Sequence, residues 1–121
     1  MKEGDIVRAC LDYLKLKKIL AWRNQTGALV LGAGRDRRFM RQGMKGSADI
    51  IACVKVGPLL NTELNCVRLG QMWAIECKTD KGKQSPAQKE FEALVVASGG
   101  RYVVVRSVAE LASAIEVDRA A

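Results

Sequence analysis

The sequence predicts a single α/β domain with a central mixed sheet flanked by helices, in the order α-β-β-β-α-β-α. Three observations predict it. Apolar side chains recur at three-and-four spacing from Glu3 to Leu20, the mark of an amphipathic helix. Two short apolar runs, Asp49 to Val54 and Trp73 to Lys78, read as strands. A capped helix then separates the second run from a third, Tyr102 to Val105, so those two strands should lie parallel with a right-handed crossover. A chain of 121 residues leaves room for one such domain, and at that size it buries about two thirds of its unfolded surface.

The first helix turns Ile6, Val7, Cys10, Leu11, Leu14 and Leu20 inward and Arg8, Asp12, Lys15 and Lys18 outward. One turn back from Val7 the inward stripe lands on Glu3, which a first-turn role at the helix dipole would also explain. Ile19 to Asn24, with Trp22, is the first strand. Gly27 to Gly46 is glycine-rich and carries Arg35, Arg37, Arg38, Arg41 and Lys45 against one acid, Asp36. Such a basic ribbon suits phosphate contacts, with Phe39 and Met40 placed to touch sugars or bases; a solvated loop is the plain alternative. Leu29 to Leu31 and Phe39 suggest a small hairpin within it.

Asp49 opens a buried strand whose partner, Trp73 to Lys78, is reached through a connection from Lys55 to Gln71. On that partner Glu76 and Lys78 share one face while Ile75 and Cys77 share the other, because side chains alternate along a strand. An antiparallel pair brings Asp49 to Glu76 and Lys78. Two carboxylates so placed repel, and either one stays protonated or a divalent cation with oxygen ligands joins them. Thr79 to Gln84 is a basic turn containing Lys81 and Lys83. Ser85-Pro86-Ala87-Gln88 then has the form of a helix start, with Ser at the cap, Pro at the first position and Gln at the third. Gln88 is thus explained as a capping partner, and it also stands where it can lean over Glu76. This helix buries Ala87, Phe91, Leu94 and Val95 and stops at Gly99-Gly100. Ser107 opens a last helix, through about Val117, with Val108, Leu111, Ala112 and Ile115 inward.

Twenty Lys and Arg against thirteen Asp and Glu leave a net charge of +7, which favours a polyanionic partner over a neutral one. The four cysteines (Cys10, Cys53, Cys66, Cys77) show no C-x-x-C spacing and there is no His, which excludes imidazole zinc sites and imidazole general bases. Reduced thiols packed as small hydrophobes are the expected use. With a charged N-terminus and no apolar run near 18 residues, neither a signal peptide nor a membrane span is expected, and the expected location is the cytoplasm of a bacterium or phage-infected host.

In combination, the Glu3 helix, Gly46-Ser47-Ala48-Asp49, Ile75-Glu76-Cys77-Lys78, the Lys81-Gly82 turn, Ser85-Pro86-Ala87-Gln88 and Gly99-Gly100 resemble the virus-type replication-repair nuclease (VRR-NUC) family of the PD-(D/E)XK superfamily, over roughly Glu3 to Leu111. Ala48 stands where the superfamily motif has Pro, and Lys55 to Gln71 is longer than a minimal hairpin needs. The resemblance implies a restriction-endonuclease-like fold and Mg2+- or Mn2+-dependent hydrolysis of DNA phosphodiesters to 5′-phosphates. It makes Asp49, Glu76 and the Cys77 carbonyl the metal ligands and Lys78 the catalytic lysine, with Glu3 and Gln88 accompanying the site. It also implies a homodimer, with elements exchanged in some members, acting on branched DNA such as four-way junctions. A flap or nicking nuclease and a non-catalytic basic DNA-binding module are the alternatives. For the dimer surface, the apolar side chains of the connection, Leu59, Leu60, Leu64, Val67 and Leu69, are candidates.

Overall fold

The computed structural model describes the backbone of residues 1–25, 27–61 and 66–120, and side chains except at 27–29, 41–42, 56–61, 66–68 and 118–120. Its elements run α1 (Glu3–Leu16), β1 (Leu20–Arg23), β2 (Gly27–Leu31), a 3-10 turn (Gly34–Asp36), β3 (Arg38–Gln42), β4 (Ile50–Asn61), β5 (Cys66–Cys77), α2 (Pro86–Ala97), β6 (Arg101–Val105) and α3 (Val108–Ala120). Four strands form a mixed sheet in the order β1-β4-β5-β6, antiparallel except for the parallel pair β5-β6. β2 and β3 form a separate two-stranded sheet, which adds two strands between the first and second of the expected order.

The sheet has two unequal faces. On one, Ile50, Ala52, Val54, Trp73, Ile75 and Cys77 pack with Ile6, Val7, Cys10 and Leu14 of α1 and Leu111 and Ile115 of α3. On the other, Ala74 and Tyr102 pack with Phe91 and Val95 of α2, the Phe91 and Tyr102 rings meeting edge to face at 6.3 Å. A single helix covers only part of that second face. Leu20 and Trp22 of β1 are cross-strand neighbours of Cys53 and Ile51, and Leu20, Trp22, Cys53 and Met72 are all exposed.

Four expectations are corrected. The first helix ends at Leu16, not Leu20, because Lys18 adopts φ 59° and Ile19 donates its N–H back to the Leu14 carbonyl, turning the chain into β1. Leu20 therefore leaves the helical stripe and is exposed. The connection from Lys55 to Gln71 is itself strand over its described residues: β4 extends to Asn61 and β5 begins at Cys66, paired antiparallel, with a register shift between Val56 and Leu60 that accommodates Gly57-Pro58. Of its apolar residues, Leu69 is exposed, while Leu64 and the side chains of Leu59, Leu60 and Val67 lie outside the described residues. Leu94 and Val108, expected inward, face solvent, since α2 and α3 each lie against one side of the sheet only. Cys53 is exposed as well, whereas Cys10 and Cys77 are buried free thiols; the side chain of Cys66 lies outside the described part.

Among the described residues no helix is long and apolar enough to cross a membrane.

Candidate functional site

Alternation along β5 places the site. Trp73, Ile75 and Cys77 point into the α1/α3 core, which leaves Glu76 on the face of Ala74 and α2, where it is 2% exposed and the one buried charged side chain among those described. Opposite it, the register pairs Ile50 with Ile75, so Asp49, one residue before β4, comes level with the end of β5. The Cys77 N–H donates to Asp49 Oδ2 at 2.8 Å, fixing that carboxylate from the backbone.

The approach to Asp49 is held by a residue that the sequence did not single out. Asn24, just past β1, donates its backbone N–H to the Asp49 carbonyl at 2.7 Å, and its Nδ2 to Ser47 Oγ at 2.8 Å and the Ala48 carbonyl at 3.0 Å. Ala48 is fully buried under α2. Gly46 carries φ +78°, and a Cβ there would stand 2.4 Å from the Ala87 carbonyl oxygen, so only glycine lets the Asp49 turn approach the start of α2.

Gln88 performs both of the roles open to it. Its Oε1 accepts from the Ser85 N–H at 2.8 Å while its own N–H donates to Ser85 Oγ at 3.2 Å, completing the capping box. Its Nε2 donates to Glu76 Oε1 at 3.1 Å. The same Oε1 lies 3.8 Å from Lys78 Nζ, an ion pair that is almost wholly removed from solvent. Glu76 Oε2 is buried with no hydrogen-bond partner as a carboxylate oxygen. Glu3, at the exposed first turn of α1, completes the group: one carboxylate oxygen each from Glu3, Asp49 and Glu76 lie within 4.8 Å of one another.

Burial is the main reason that the Glu76 carboxyl is pushed up to about 8, followed by the nearby Asp49 carboxylate; Glu3 adds to the rise and Lys78 opposes it. Without a cation, Glu76 therefore holds a proton near neutral pH. The Cys77 thiol, on the opposite face, is pushed up by its hydrogen bond with Cys10 and by burial, so it stays a protonated core group and offers the site only its backbone.

Past Lys78 the chain is stapled by Arg106, which also escaped the sequence reading. Lys78 donates its N–H to the Val105 carbonyl at 3.0 Å, and the Arg106 guanidinium donates to the carbonyls of Thr79 and Gly82. The parallel β5-β6 pairing, Cys77 opposite Val105, was the available signal for Arg106. Asn24 had none beyond its place at a strand end. Of the basic residues expected to meet phosphate, Arg35, Arg37, Arg38, Lys45, Lys81 and Lys83 are all exposed, in two places: the β2-β3 hairpin with its stem, and the turn after Lys78. Arg41 lies in β3 opposite Ala28, and its side chain is outside the described part.

The fold and site thus define an α/β protein with a carboxylate and lysine cluster at one corner of a mixed sheet. Comparison of the chain with protein-family models, with curated proteins and with solved structures finds no match.

Proposed function

We propose that this chain is a metal-dependent DNA endonuclease of the PD-(D/E)XK type, similar to the VRR-NUC family, that hydrolyses phosphodiester bonds to leave 5′-phosphates. The observation that carries the reading is the convergence of Glu3, Asp49 and Glu76 oxygens within 4.8 Å, with the half-buried Lys78 ammonium 3.8 Å from Glu76. Among the described residues no other group of three Cys, Asp or Glu comes together in this way.

The donor set fits a hard divalent cation. It is all oxygen, and the Glu76 carboxyl is buried with one oxygen unpartnered beside a second acid, an arrangement unfavourable to the ionised pair unless positive charge joins it. Asp49 and Glu76 would hold Mg2+ or Mn2+, with Glu3 and the Cys77 carbonyl as further donors. Such an ion, when bound, lowers the pKa of water and offsets charge on the scissile phosphate, a contribution of several kcal/mol. The chain's own groups position the rest. The Cys77 N–H orients Asp49, the Gln88 amide orients Glu76, and Lys78 stands where it can orient or deprotonate the attacking water or neutralise developing charge. The exposed Arg35, Arg37, Arg38, Lys45, Lys81 and Lys83 hold phosphates along the duplex.

The substrate proposed is branched DNA cut by a homodimer, since one chain carries one carboxylate set and symmetric incision of a four-way junction needs two sites related by a two-fold axis. A cleavage assay on plasmid and branched substrates with and without metal tests the nuclease reading. Magnesium or manganese should support cutting, calcium should bind with little turnover because its looser shell positions water poorly, and zinc should not be required. Activity surviving exhaustive EDTA treatment would refute metal dependence, and DNA binding without cleavage under every metal would leave a binding module.

A further inference from the structure

The β2-β3 hairpin is a basic arm that neither the fold nor the carboxylate site accounts for. Among the described residues its strands pair with each other and not with the central sheet. An isolated two-stranded ribbon is marginal in water unless something packs on it. Yet Val30, Leu31, Phe39 and Met40 are all exposed, Phe39 by 66%. Arg37 lies over Phe39, Arg38 is the cross-strand neighbour of Leu31, and Arg35 is exposed in the turn between the strands, so a surface that covers the arm should be both apolar and anionic. Unpaired nucleotides of DNA combine a base face with a phosphate in this way, whereas a second apolar protein surface would have to desolvate the arginines.

The arm is also aimed from the site. Its two stems leave the main sheet at Asn24 and return at Ser47, and the Asn24 side chain clamps them together one residue from Asp49. Near the tip the Arg37 guanidinium lies 5.0 Å from the centre of the Phe39 ring, so the ring is held from one side by a cation while remaining open to solvent. An aromatic ring fixed in this manner is a stacking platform for a base.

We propose that the β2-β3 arm recognises unpaired nucleotides, Phe39 stacking on an exposed base and Arg37 and Arg38 taking the adjoining phosphates, so that the arm selects DNA carrying a gap, flap or open branch point. The inference deepens the nuclease reading and rests on it for the identity of the polymer. Five-residue strands span roughly 17 Å, about five base-pair steps of 3.4 Å, so incision falls within about that distance of the unpaired base.

The test uses the full chain as Asp49→Asn, so that binding is read without turnover, and a duplex with 2-aminopurine at one unpaired position. Binding should quench the fluorophore. Phe39→Ala should abolish the quench and collapse the preference for gapped over fully paired duplex roughly ten-fold, while Phe39→Trp restores both. Circular dichroism and light scattering of each variant accompany the titration. A preference unchanged in Phe39→Ala overturns the proposal, as does loss of a dimer in that variant with the quench intact, which would assign the arm to a second copy. The nuclease reading fails separately: quenching by the arm in a protein that cuts nothing under any metal leaves the arm standing and removes the enzyme.

Discussion

Glu76 is the residue on which the site turns, because it is buried and its Oε1 meets both the Gln88 amide and the Lys78 ammonium. Replacing Glu76, Asp49 or Lys78 by Ala should abolish cleavage and leave the fold intact, since loss of either acid thins a cluster of like charges and loss of the lysine leaves Glu76 able to keep its proton; plasmid cleavage alongside circular dichroism melts checks both halves. Wild-type activity in the Glu76 variant would sink the assignment. The protonation of Glu76 adds a pH dependence whose sign is set by its environment. Unfolded, the side chain ionises near 4.5; folded, it keeps its proton to about 8. A raised carboxyl contributes stability that is fully present below the unfolded value and is lost as pH rises through the folded one. In EDTA the melting temperature should therefore fall between about pH 5 and about pH 8.5, less so in Glu76→Gln, and Mg2+ or Mn2+ should raise it most at the alkaline end. Equal metal stabilisation at both ends would remove Glu76 from the ligand set. Gln88 separates the cap from the carboxylate contact: Gln88→Ala loses both, about 1–2 kcal/mol, while Gln88→Glu keeps the acceptor for the Ser85 N–H and turns a donor to Glu76 into a repulsive neighbour. Metal affinity and melting temperature, measured together on the two variants, distinguish these effects.

At the scale of elements, the basic arm and the start of α2 behave differently under substitution. Changing Arg37, Arg38 and Arg41 together to Ala should flatten the dependence of log K on log salt by up to about 3, each phosphate contact being worth roughly 0.9. An unchanged slope returns the arm to being a solvated hairpin. Gly46→Ala places a Cβ against the Ala87 carbonyl at a φ that L-residues avoid, so it should cost about 1–3 kcal/mol and weaken metal binding by pushing the Asp49 turn from α2. The elements also show what a sequence exposes and what it hides. Ser85-Pro86-Ala87-Gln88 and the alternation of Ile75, Glu76, Cys77 and Lys78 were legible because caps and strands have local rules, and with an antiparallel pair assumed those rules brought Asp49 to Glu76. The long β4-β5 ribbon was misread because Gly57, Pro58 and Gly70 punctuate it as a loop would, and a bulge absorbs part of that punctuation without ending the strands. Asn24 left no signal, and Arg106 only the parallel pairing of β5 with β6, because each acts on backbone carbonyls distant in sequence, and any polar side chain at a strand end looks the same until the strands are ordered.

For the whole molecule, the half-covered sheet bears on assembly. Leu20, Trp22, Met72 and Leu94 are exposed on the side that α2 only partly shields, beside a cavity of about 690 Å³ lined by Met44, Leu69, Met72, Phe91 and Leu94. If the chain acts as the proposed two-fold dimer, light-scattering mass at micromolar concentration should be twice 13.2 kDa, and a synthetic four-way junction should be cut symmetrically. A monomer that only nicks linear duplex would defeat both statements.

The Arg106 staple carries one more implication, about time. Glu3, Asp49 and Glu76 all precede Arg106 in the chain, and the turn after Lys78 is held by carbonyl contacts to a residue at the end of a strand that follows it. Every acid in the cluster is therefore synthesised before the β6 strand that steadies the lysine. A nascent chain can present the carboxylates yet has nothing to hold the Thr79 to Gly82 turn against β5 until the parallel pair closes, and such non-local pairing is a slow step of folding. The corner is finished late, by the part of the protein that carries none of its acids.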